Sequence, residues 1–462
     1  MENNSNKTII LNIASTIILQ GLAFFSGPIF SSTLGTNNYG IAVTYLAWVQ
    51  IAYTVFTLQA AGTIPQARIY FSPSEQLKYQ SSVLSLASIL YLFFSIITMT
   101  VVLIAKKQIE INHLMILIGL LQGWGMYCTQ FLNCKFIYEF KAINNFVISL
   151  LTMSLTIGLS LLLIKLLPFD INYWGRILGQ ATVYVLLGIC IFVYIIKRGK
   201  TLYDKNYWSF SLPIALPTVF HSLSNVILHQ SDKVMISWLL NSSAAGVYAL
   251  SCTFASVLNT LWNALNNSWV PFYYEYTRLG QIDKIKKHAY NYIELFTIIT
   301  IGFILLAKEV FHVYAYQSFW EGTDYIPLFA IGHYFVFMYS FCVNYEFYHK
   351  KTRAVAIATT GAALLNITLN YLLIDFIGIQ GAVFATTVAY GIQFCFHYCY
   401  VKKMNNGDFP FKIKDFIPGL IAVIGACVFY LITKDIWTIR WGVGSVIGVY
   451  ILIKILKRKE IF

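Results

Sequence analysis

Long apolar stretches follow one another along almost the whole chain, and they constrain its fold more than any other feature. A helix crosses the ~30 Å hydrocarbon layer of a membrane in ~20 residues. Charged residues make up only 11% of this chain, whereas soluble proteins have ~25%, so a soluble protein of this size is excluded. We predict an all-α integral membrane protein with about fourteen transmembrane helices, or twelve if one pair of stretches does not cross. The predicted spans are 8-31, 40-65, 81-105, 112-134, 143-164, 175-196, 213-239, 245-271, 289-314, 325-348, 354-375, 379-401, 415-433 and 438-456.

Basic residues are distributed unevenly between the two sides of the predicted membrane. With the N-terminus in the cytoplasm, 24 of the 32 lysines and arginines fall in cytoplasmic segments, as the positive-inside rule requires. Both termini are then cytoplasmic. The formal net charge of +13 therefore indicates orientation, and we expect no nucleic-acid partner. The connections between spans are too short to hold a soluble domain.

An internal repeat relates the two halves of the chain. Residues 34-70 align without a gap to residues 240-276, so that Gly40 matches Gly246 and Pro65 matches Pro271. Such repeats are common in transporters. We predict two six-helix lobes in parallel orientation around a central cavity, with residues 1-200 and 201-402 as the lobes and residues 403-462 as two additional helices.

Signals for a cofactor or a metal are weak. No glycine-rich phosphate-binding loop accompanies the spans, so no nucleotide cofactor is expected. All eight cysteines fall within predicted spans. Cys395 and Cys399 share one helix face, but His397 between them points elsewhere, which disfavours a metal site. We therefore predict neither a cofactor nor a metal.

The seventh span and the start of the eighth carry a local signature. It consists of a proline pair, an aspartate followed by a basic residue, and a Gly-x-Tyr sequence: Pro213 and Pro217, Asp232 with Lys233, and Gly246 with Tyr248. The first hairpin, LGTNNYGIAVTYLAW, has Gly35, Tyr39 and Gly40. Both segments resemble the polysaccharide repeat-unit flippases of the multidrug/oligosaccharidyl-lipid/polysaccharide exporter superfamily. The family more often has arginine after the aspartate, so Lys233 is a mild departure.

This resemblance implies a transporter and not an enzyme. It implies a flippase that carries an undecaprenyl-diphosphate-linked oligosaccharide repeat unit from the inner to the outer leaflet of a bacterial cell membrane by alternating access. The polysaccharide could be O-antigen, another part of lipopolysaccharide, or capsule. The implied partners are the lipid-linked substrate, membrane lipids, and a polysaccharide polymerase with a chain-length regulator.

Polar side chains form one stripe on each of spans seven and eight. Because polar groups in a membrane are costly, such stripes face a cavity or another helix. Amides and indoles suit a sugar, since they bind its hydroxyls and pack on its ring. Interhelical hydrogen bonding is the competing interpretation. The predicted cavity residues are Asn225, His229 and Asp232 on span seven, and Ser256, Asn259, Trp262, Asn263, Asn266 and Asn267 on span eight.

Asp232 is the strongest single candidate, because a carboxylate inside a span should be paired, protonated or solvated. We predict that Asp232, with His229 one turn before it, couples transport to a cation gradient. A structural pair that ties span seven to a neighbouring helix is an equally good interpretation. Lys233 lies about 100° away around the helix and is expected at the outer interface.

Two arginines and several helix-breaking residues complete the predicted site. Arg68 and Arg278 follow the repeat prolines and would meet an anionic diphosphate at the cytoplasmic mouth; topology or contact with lipid phosphate is the simpler role. Prolines at span ends can kink helices, and glycines allow tight turns. The predicted hinge and turn residues are Gly35, Gly40, Pro65, Pro213, Pro217, Gly246 and Pro271.

Two other functions compete with the flippase. A proton- or sodium-coupled multidrug exporter would share the fold, but it would be expected to carry acidic groups for cationic drugs. A membrane-embedded polysaccharide polymerase or acyltransferase would need catalytic groups in a sizeable outer loop or at a buried histidine. The outer loops here are short and neutral in sum.

Overall fold

The chain forms only helices and their connections in the part that the structure describes. A computed structural model describes residues 2–104, 112–404 and 409–458, with side chains from residue 18 and only that of Ile453 beyond residue 450. The basic residues that the topology prediction places at 105–111 and 459–462 lie outside the described residues. The helices are α1 Glu2–Phe56, α2 Ile64–Tyr70, α3 Pro73–Ile104, α4 His113–Tyr138, α5 Ala142–Leu166, α6 Tyr173–Gly199, α7 Lys205–Leu239, α8 Ser242–Arg278, α9 Ile282–Tyr314, α10 Ile326–Tyr348, α11 Thr352–Ile377, α12 Ile379–Lys403, α13 Ile413–Ile432 and α14 Trp437–Arg458. Short 3-10 helices cover Ala60–Thr63, Phe169–Ile171 and Gln317–Tyr325.

The predicted all-α membrane fold is confirmed. Eleven of the described helices are long and apolar enough to cross a membrane, and each of the fourteen predicted spans falls on a helix. α1 covers the first span and most of the second, which continues through the 3-10 helix Ala60–Thr63 to the start of α2. Its helical geometry is broken at Gly35, which has φ 68° and ψ 175°, a conformation that side chains with a Cβ rarely adopt.

The ends of the long helices follow ordinary capping chemistry. Asn112 accepts hydrogen bonds from the backbone N–H groups of Leu114 and Met115 at the start of α4. Asn241 accepts one from Ala244 at the start of α8, at 2.8 Å. Gly378, with φ 63°, separates α11 from α12. These residues satisfy helix-end groups that would be costly to leave unpaired near the membrane.

The chain divides into two compact units, Met1–Ser237 and Trp238–Phe462. The first contains α1 to α7, and the second contains α8 to α14. α7 joins the first unit because its N-terminal part packs on α3: Trp208 donates its indole N–H to the Ser82 hydroxyl at 3.0 Å, and the rings of Tyr79 and Tyr207 lie 5.7 Å apart. The predicted lobe limits at residues 200 and 402 and the central cavity rest on the sequence repeat and stay predictions.

The two copies of the sequence repeat differ in backbone. In the first copy, α1 ends at Phe56, and Leu58 and Gln59 have positive φ angles of 50° and 48°. α2 then starts with Pro65 in its first turn. In the second copy, α8 runs unbroken through Pro271 to Arg278. A proline removes one helix hydrogen bond but does not by itself end a helix, whereas two left-handed residues do.

Candidate functional site

The predicted polar face of α7 lies in the first unit. Asp232 is buried, with 2% of its surface exposed, whereas Asn225 is half-buried and His229 is exposed. The amide nitrogen of Asn225 lies 3.2 Å from His221 Nε2, one turn earlier on the same helix. The face therefore combines a buried carboxylate with two more accessible groups that can bind hydroxyls.

Lys233 takes part in a hydrogen-bonded chain inside the first unit. Its ammonium donates to Gln230 Oε1 at 2.8 Å, and the Gln230 amide donates to Gln50 Oε1 on α1 at 2.7 Å. Lys233 is half-buried. Its charge is thus held next to the Gln230 amide, which joins α7 to α1.

The predicted face of α8 lies in the second unit and separates into two parts. Asn263 and Asn267 are exposed, and Asn259 is half-buried. The Asn263 amide donates to the Asn259 carbonyl at 2.9 Å, so the two lie in one row. Asn266 differs, because its side-chain oxygen accepts from the Asn344 amide on α10 at 2.9 Å. Asn266 therefore forms an interhelical hydrogen bond, which was the alternative to a cavity-facing role for the polar residues of α8.

The remaining α8 candidates also differ in their surroundings. Ser256 donates its hydroxyl to the Thr253 carbonyl at 2.6 Å, a bond within the helix. Trp262 is half-buried, and its indole N–H has no hydrogen-bond partner. A buried N–H without an acceptor is costly. Trp262 could therefore offer both a flat apolar ring and a hydrogen-bond donor to a ligand.

The two predicted arginines lie at helix ends and are exposed. Arg68 ends α2, and its guanidinium carbon lies 5.0 Å from the centre of the Phe140 ring. Arg278 ends α8 and pairs with Glu275 at 2.7 Å. Both guanidinium groups remain accessible to an anion in solution.

Arg68 has charged neighbours in the first unit. It lines a small cavity together with Gln80, Lys135 and Glu139. Lys135 is almost fully buried and contacts Glu139 at 2.9 Å and the Gln80 amide oxygen. Burial acts to raise the pKa of Glu139, which lies in the turn after α4, but hydrogen bonds from Lys141 and Lys135 outweigh it and lower that pKa. The carboxylate therefore stays ionised and neutralises part of the local positive charge.

The predicted hinge and turn residues do not all share one conformation. Gly35 breaks α1, as expected for a turn. Gly40 and Gly246 instead lie within helices and are buried. Pro213 and Pro217 lie inside α7, and Pro271 lies inside α8.

Sequence reasoning missed several buried charged residues. Glu346 and His397 form a pair in the second unit with neither side chain exposed. Arg440 is fully buried and pairs with Glu309. Arg176 on α6 places its guanidinium carbon 3.4 Å from the centre of the Phe30 ring. These residues lie near span ends, where hydropathy assigns charges to loops.

Comparison with known proteins decides the family. Residues 5–277 match the family described as "Polysaccharide biosynthesis protein", which is more than half of the chain. The chain belongs to this polysaccharide biosynthesis family. The membership predicted from the span-seven signature is thereby confirmed. The "Lsg locus putative protein 1" of Haemophilus influenzae is a relative that is 23% identical over 365 residues, covering 76% of this chain and 86% of that protein.

Another relative matches over a shorter segment. An "Uncharacterized membrane protein" of Haemophilus influenzae is 21% identical over 196 residues, which are 42% of this chain and 46% of that protein. The match thus spans about half of that relative.

Solved structures with the same fold are membrane transporters. The lipid II flippase MurJ in an inward closed conformation has a TM-score of 0.71 at 18% identity, covering 97% of this chain and 99% of that chain. An inward-facing multidrug resistance transporter of the MATE family and MOP superfamily has a TM-score of 0.54 at 10% identity, covering 90% and 98%. This member of the polysaccharide biosynthesis family therefore has a MurJ- and MATE-like fold and is a multi-pass membrane protein.

Proposed function

We propose that this protein flips an undecaprenyl-diphosphate-linked oligosaccharide repeat unit from the inner to the outer leaflet of the bacterial cell membrane, by alternating access and with both termini in the cytoplasm. The match of residues 5–277 to the polysaccharide biosynthesis family carries this proposal. The likeness to the fold of a lipid II flippase supports it. The flipped unit would then reach a polysaccharide polymerase and its chain-length regulator at the outer face.

Deletion of the gene tests the proposal directly. We expect the deletion to remove the surface polysaccharide and to accumulate lipid-linked repeat units that resist reagents added outside the cell. Expression of the intact chain should restore both. Normal polysaccharide with increased sensitivity to cationic drugs would instead support the multidrug exporter, which shares the fold.

The exposed amides of α8 are proposed to bind the sugars. Asn259, Asn263 and Asn267 offer donors and acceptors together, and Trp262 adds an apolar ring with an unused N–H. We expect Asn263→Ala to slow transport of the lipid-linked unit about two- to tenfold, because each lost hydrogen bond weakens binding by ~0.5–1.5 kcal/mol. Transport into vesicles that contain the purified protein measures this.

The control for this change lies on the same helix. Ser268 is exposed, and its hydroxyl bonds to the Ala264 carbonyl within α8 at 3.1 Å. Ser268→Ala should leave transport unchanged. Equal rates for Asn263→Ala and Ser268→Ala would remove Asn263 from the sugar site.

Arg68 and Arg278 are proposed to attract the diphosphate at the cytoplasmic mouth. Both are exposed, and charge-assisted hydrogen bonds from guanidinium to phosphate are strong. We expect Arg68→Ala to raise the substrate concentration needed for half-maximal transport, and the effect should shrink as salt rises because salt screens exposed charges. An unchanged concentration at low salt would leave Arg68 with a topological role.

Asp232 is proposed to couple transport to a cation gradient. It is a buried carboxylate in the C-terminal part of α7, and a carboxylate inside a membrane span is a group whose charge can respond to a bound cation. We expect Asp232→Asn to transport at the same rate with and without an imposed proton or sodium gradient, whereas the unchanged protein responds to one of them. A wild-type response in Asp232→Asn would contradict the coupling role.

A further inference from the structure

The most deeply buried ionisable pair of the described residues joins α10 to α12 in the second unit. Glu346 and His397 have no exposed surface, and His397 Nδ1 lies 2.8 Å from Glu346 Oε1. Both residues lie near the C-terminal ends of their helices. The bond therefore links two helices at the same end of this unit.

The second polar atom of each side chain lacks a partner. Glu346 Oε2 and His397 Nε2 are both buried, and neither has a hydrogen-bond partner among the described residues. A carboxylate or an imidazolium in such a place carries a charge with incomplete compensation, which is costly. A pair that served only to hold two helices together would be expected to satisfy these atoms.

The number of protons on the pair therefore depends on whether water reaches it. With one dissociable proton, the pair is neutral as a whole. This holds whether the proton lies on the carboxyl oxygen or on the imidazole, because both positions belong to the same 2.8 Å bond. Loss of this proton leaves a net negative charge, and gain of a second leaves a net positive charge. Neither net charge is stable without water.

We propose that the Glu346–His397 pair is a proton-binding site of the second unit, which holds one exchangeable proton while α10 and α12 pack closely and releases it to water when the two helices separate. Proton binding and helix packing are then linked, so that each favours the other. This site lies on other helices than Asp232 and has a different role. It makes the packing of the second unit sensitive to pH even without a gradient.

The surroundings of the pair are mostly neutral. The Tyr339 ring of α10 lies 5.7 Å from the His397 ring, and the Cys342 thiol, one turn before Glu346 on α10, is buried. From α8, the Asn266 amide meets α10 at Asn344. The rings of Phe416 of α13 and Phe411 of the preceding loop pack on Phe341 of α10. The side chains of Lys350, Lys351 and Arg353, which follow α10, are exposed.

A buried polar face on α12 continues from the pair. Gln393 lies one turn before His397 and is buried, and its side-chain oxygen has no partner. Thr386 lies on the same face two turns earlier and bonds to Asn366 of α11 at 3.0 Å. These groups span about 16 Å at 1.5 Å per residue. They supply hydrogen-bonding atoms along which water could reach the pair.

Histidine NMR of the full chain in lipid nanodiscs tests the proton site without any transport. The chain has eight histidines, so the His397→Gln variant identifies the His397 signal by its loss. We expect the ¹⁵N signal of His397 to change in one step over the pH range in which the chain stays folded, and to lose or shift this step in Glu346→Gln. A signal that is constant over this range, or the same in Glu346→Gln, overturns the proposal.

A second experiment tests the consequence for transport, and it rests on the proposed flippase function. The probe is the lipid-linked repeat unit extracted from deletion cells, and vesicles have equal pH inside and outside. The Glu346→Gln/His397→Gln double variant keeps a hydrogen-bonded pair without a titrating group, so its rate should vary less with pH than that of the unchanged protein. Cys395→Ser, at an exposed position of α12, should keep the pH profile of the unchanged protein.

The two experiments separate the two proposals. A double variant with an unchanged pH profile overturns the role of the pair in transport. If the unchanged protein moves no lipid-linked unit, the flippase proposal fails. The comparison of the His397 NMR signal between the unchanged protein and Glu346→Gln still tests the proton site.

Discussion

Adding a single methyl group at Gly125 is expected to destabilise the first unit severely. Gly125 of α4 faces α6, and a Cβ built there would overlap the backbone carbonyl of Tyr184. The opposing residue is Gly188, whose own added Cβ would lie 2.6 Å from the Gly125 Cα. Backbone cannot move aside as a flexible side chain can. Gly125→Ala should lower the free energy of unfolding by at least the ~1–3 kcal/mol typical of overpacking.

The measurement is thermal unfolding of the purified protein, together with protease sensitivity of the connections around α4 and α6. Gly158 on α5 provides the matched control, because nothing lies within 4 Å of a Cβ added there. Gly158→Ala should be neutral or stabilising by up to ~1 kcal/mol, since alanine favours helix over glycine. Equal stability of the two variants would contradict the close contact of α4 with α6.

This contact also shows where sequence reasoning stops. Hydropathy and length located all fourteen helical stretches, because crossing a membrane imposes a length and a composition. Nothing in one sequence tells which glycines face a neighbouring helix. Gly40 and Gly246 were expected in turns, yet they lie within helices, while Gly125 and Gly188 lie at a helix contact. Close backbone approach depends on which faces meet, and this is a tertiary property.

The candidate site was predictable to a similar extent. The polar stripes of α7 and α8 follow from helical periodicity, and the structure exposes Asn263 and Asn267. Periodicity could not tell that Asn266 bonds across to α10, because the partner lies 78 residues away in sequence. The pair of Glu346 with His397 could not be predicted for the same reason, because the two residues are 51 positions apart in sequence. Each residue alone resembles a polar group at the end of a span, and only the structure shows that the two side chains are in contact.

The burial of Arg440 was likewise not predictable from counting charges. The positive-inside rule assigns basic residues to one side of the membrane and gives no information on whether their side chains are buried. The structure buries the Arg440 side chain completely. The guanidinium donates to the Thr433 carbonyl at 3.1 Å and to the Leu305 carbonyl at 2.9 Å, and it pairs with Glu309 of α9 through both carboxylate oxygens. Arginine suits this position because its planar group can bind a carboxylate with two donors and carbonyls with the others.

Removal of this guanidinium is expected to detach α14 from α9. Arg440→Met keeps much of the side-chain volume but removes the guanidinium donors of Glu309 and of the Leu305, Thr433 and Lys434 carbonyls. Breaking a buried pair at one partner costs about 3–5 kcal/mol, and we expect the lower end because Glu309 is 28% exposed. Hydrogen exchange should rise along α14 and the facing part of α9, and the unfolding temperature should fall.

Two further variants separate the buried charge from simple loss of an ion pair. Asp324→Asn removes the ion pair with Lys434, whose members are both about a third exposed, and it should cost no more than ~1 kcal/mol. In the Arg440→Met/Glu309→Leu double variant neither charge remains, so part of the lost stability should return. If Arg440→Met were no worse than Asp324→Asn, the guanidinium would be solvated in the membrane-bound protein, and the docking of α14 would depend on apolar packing alone.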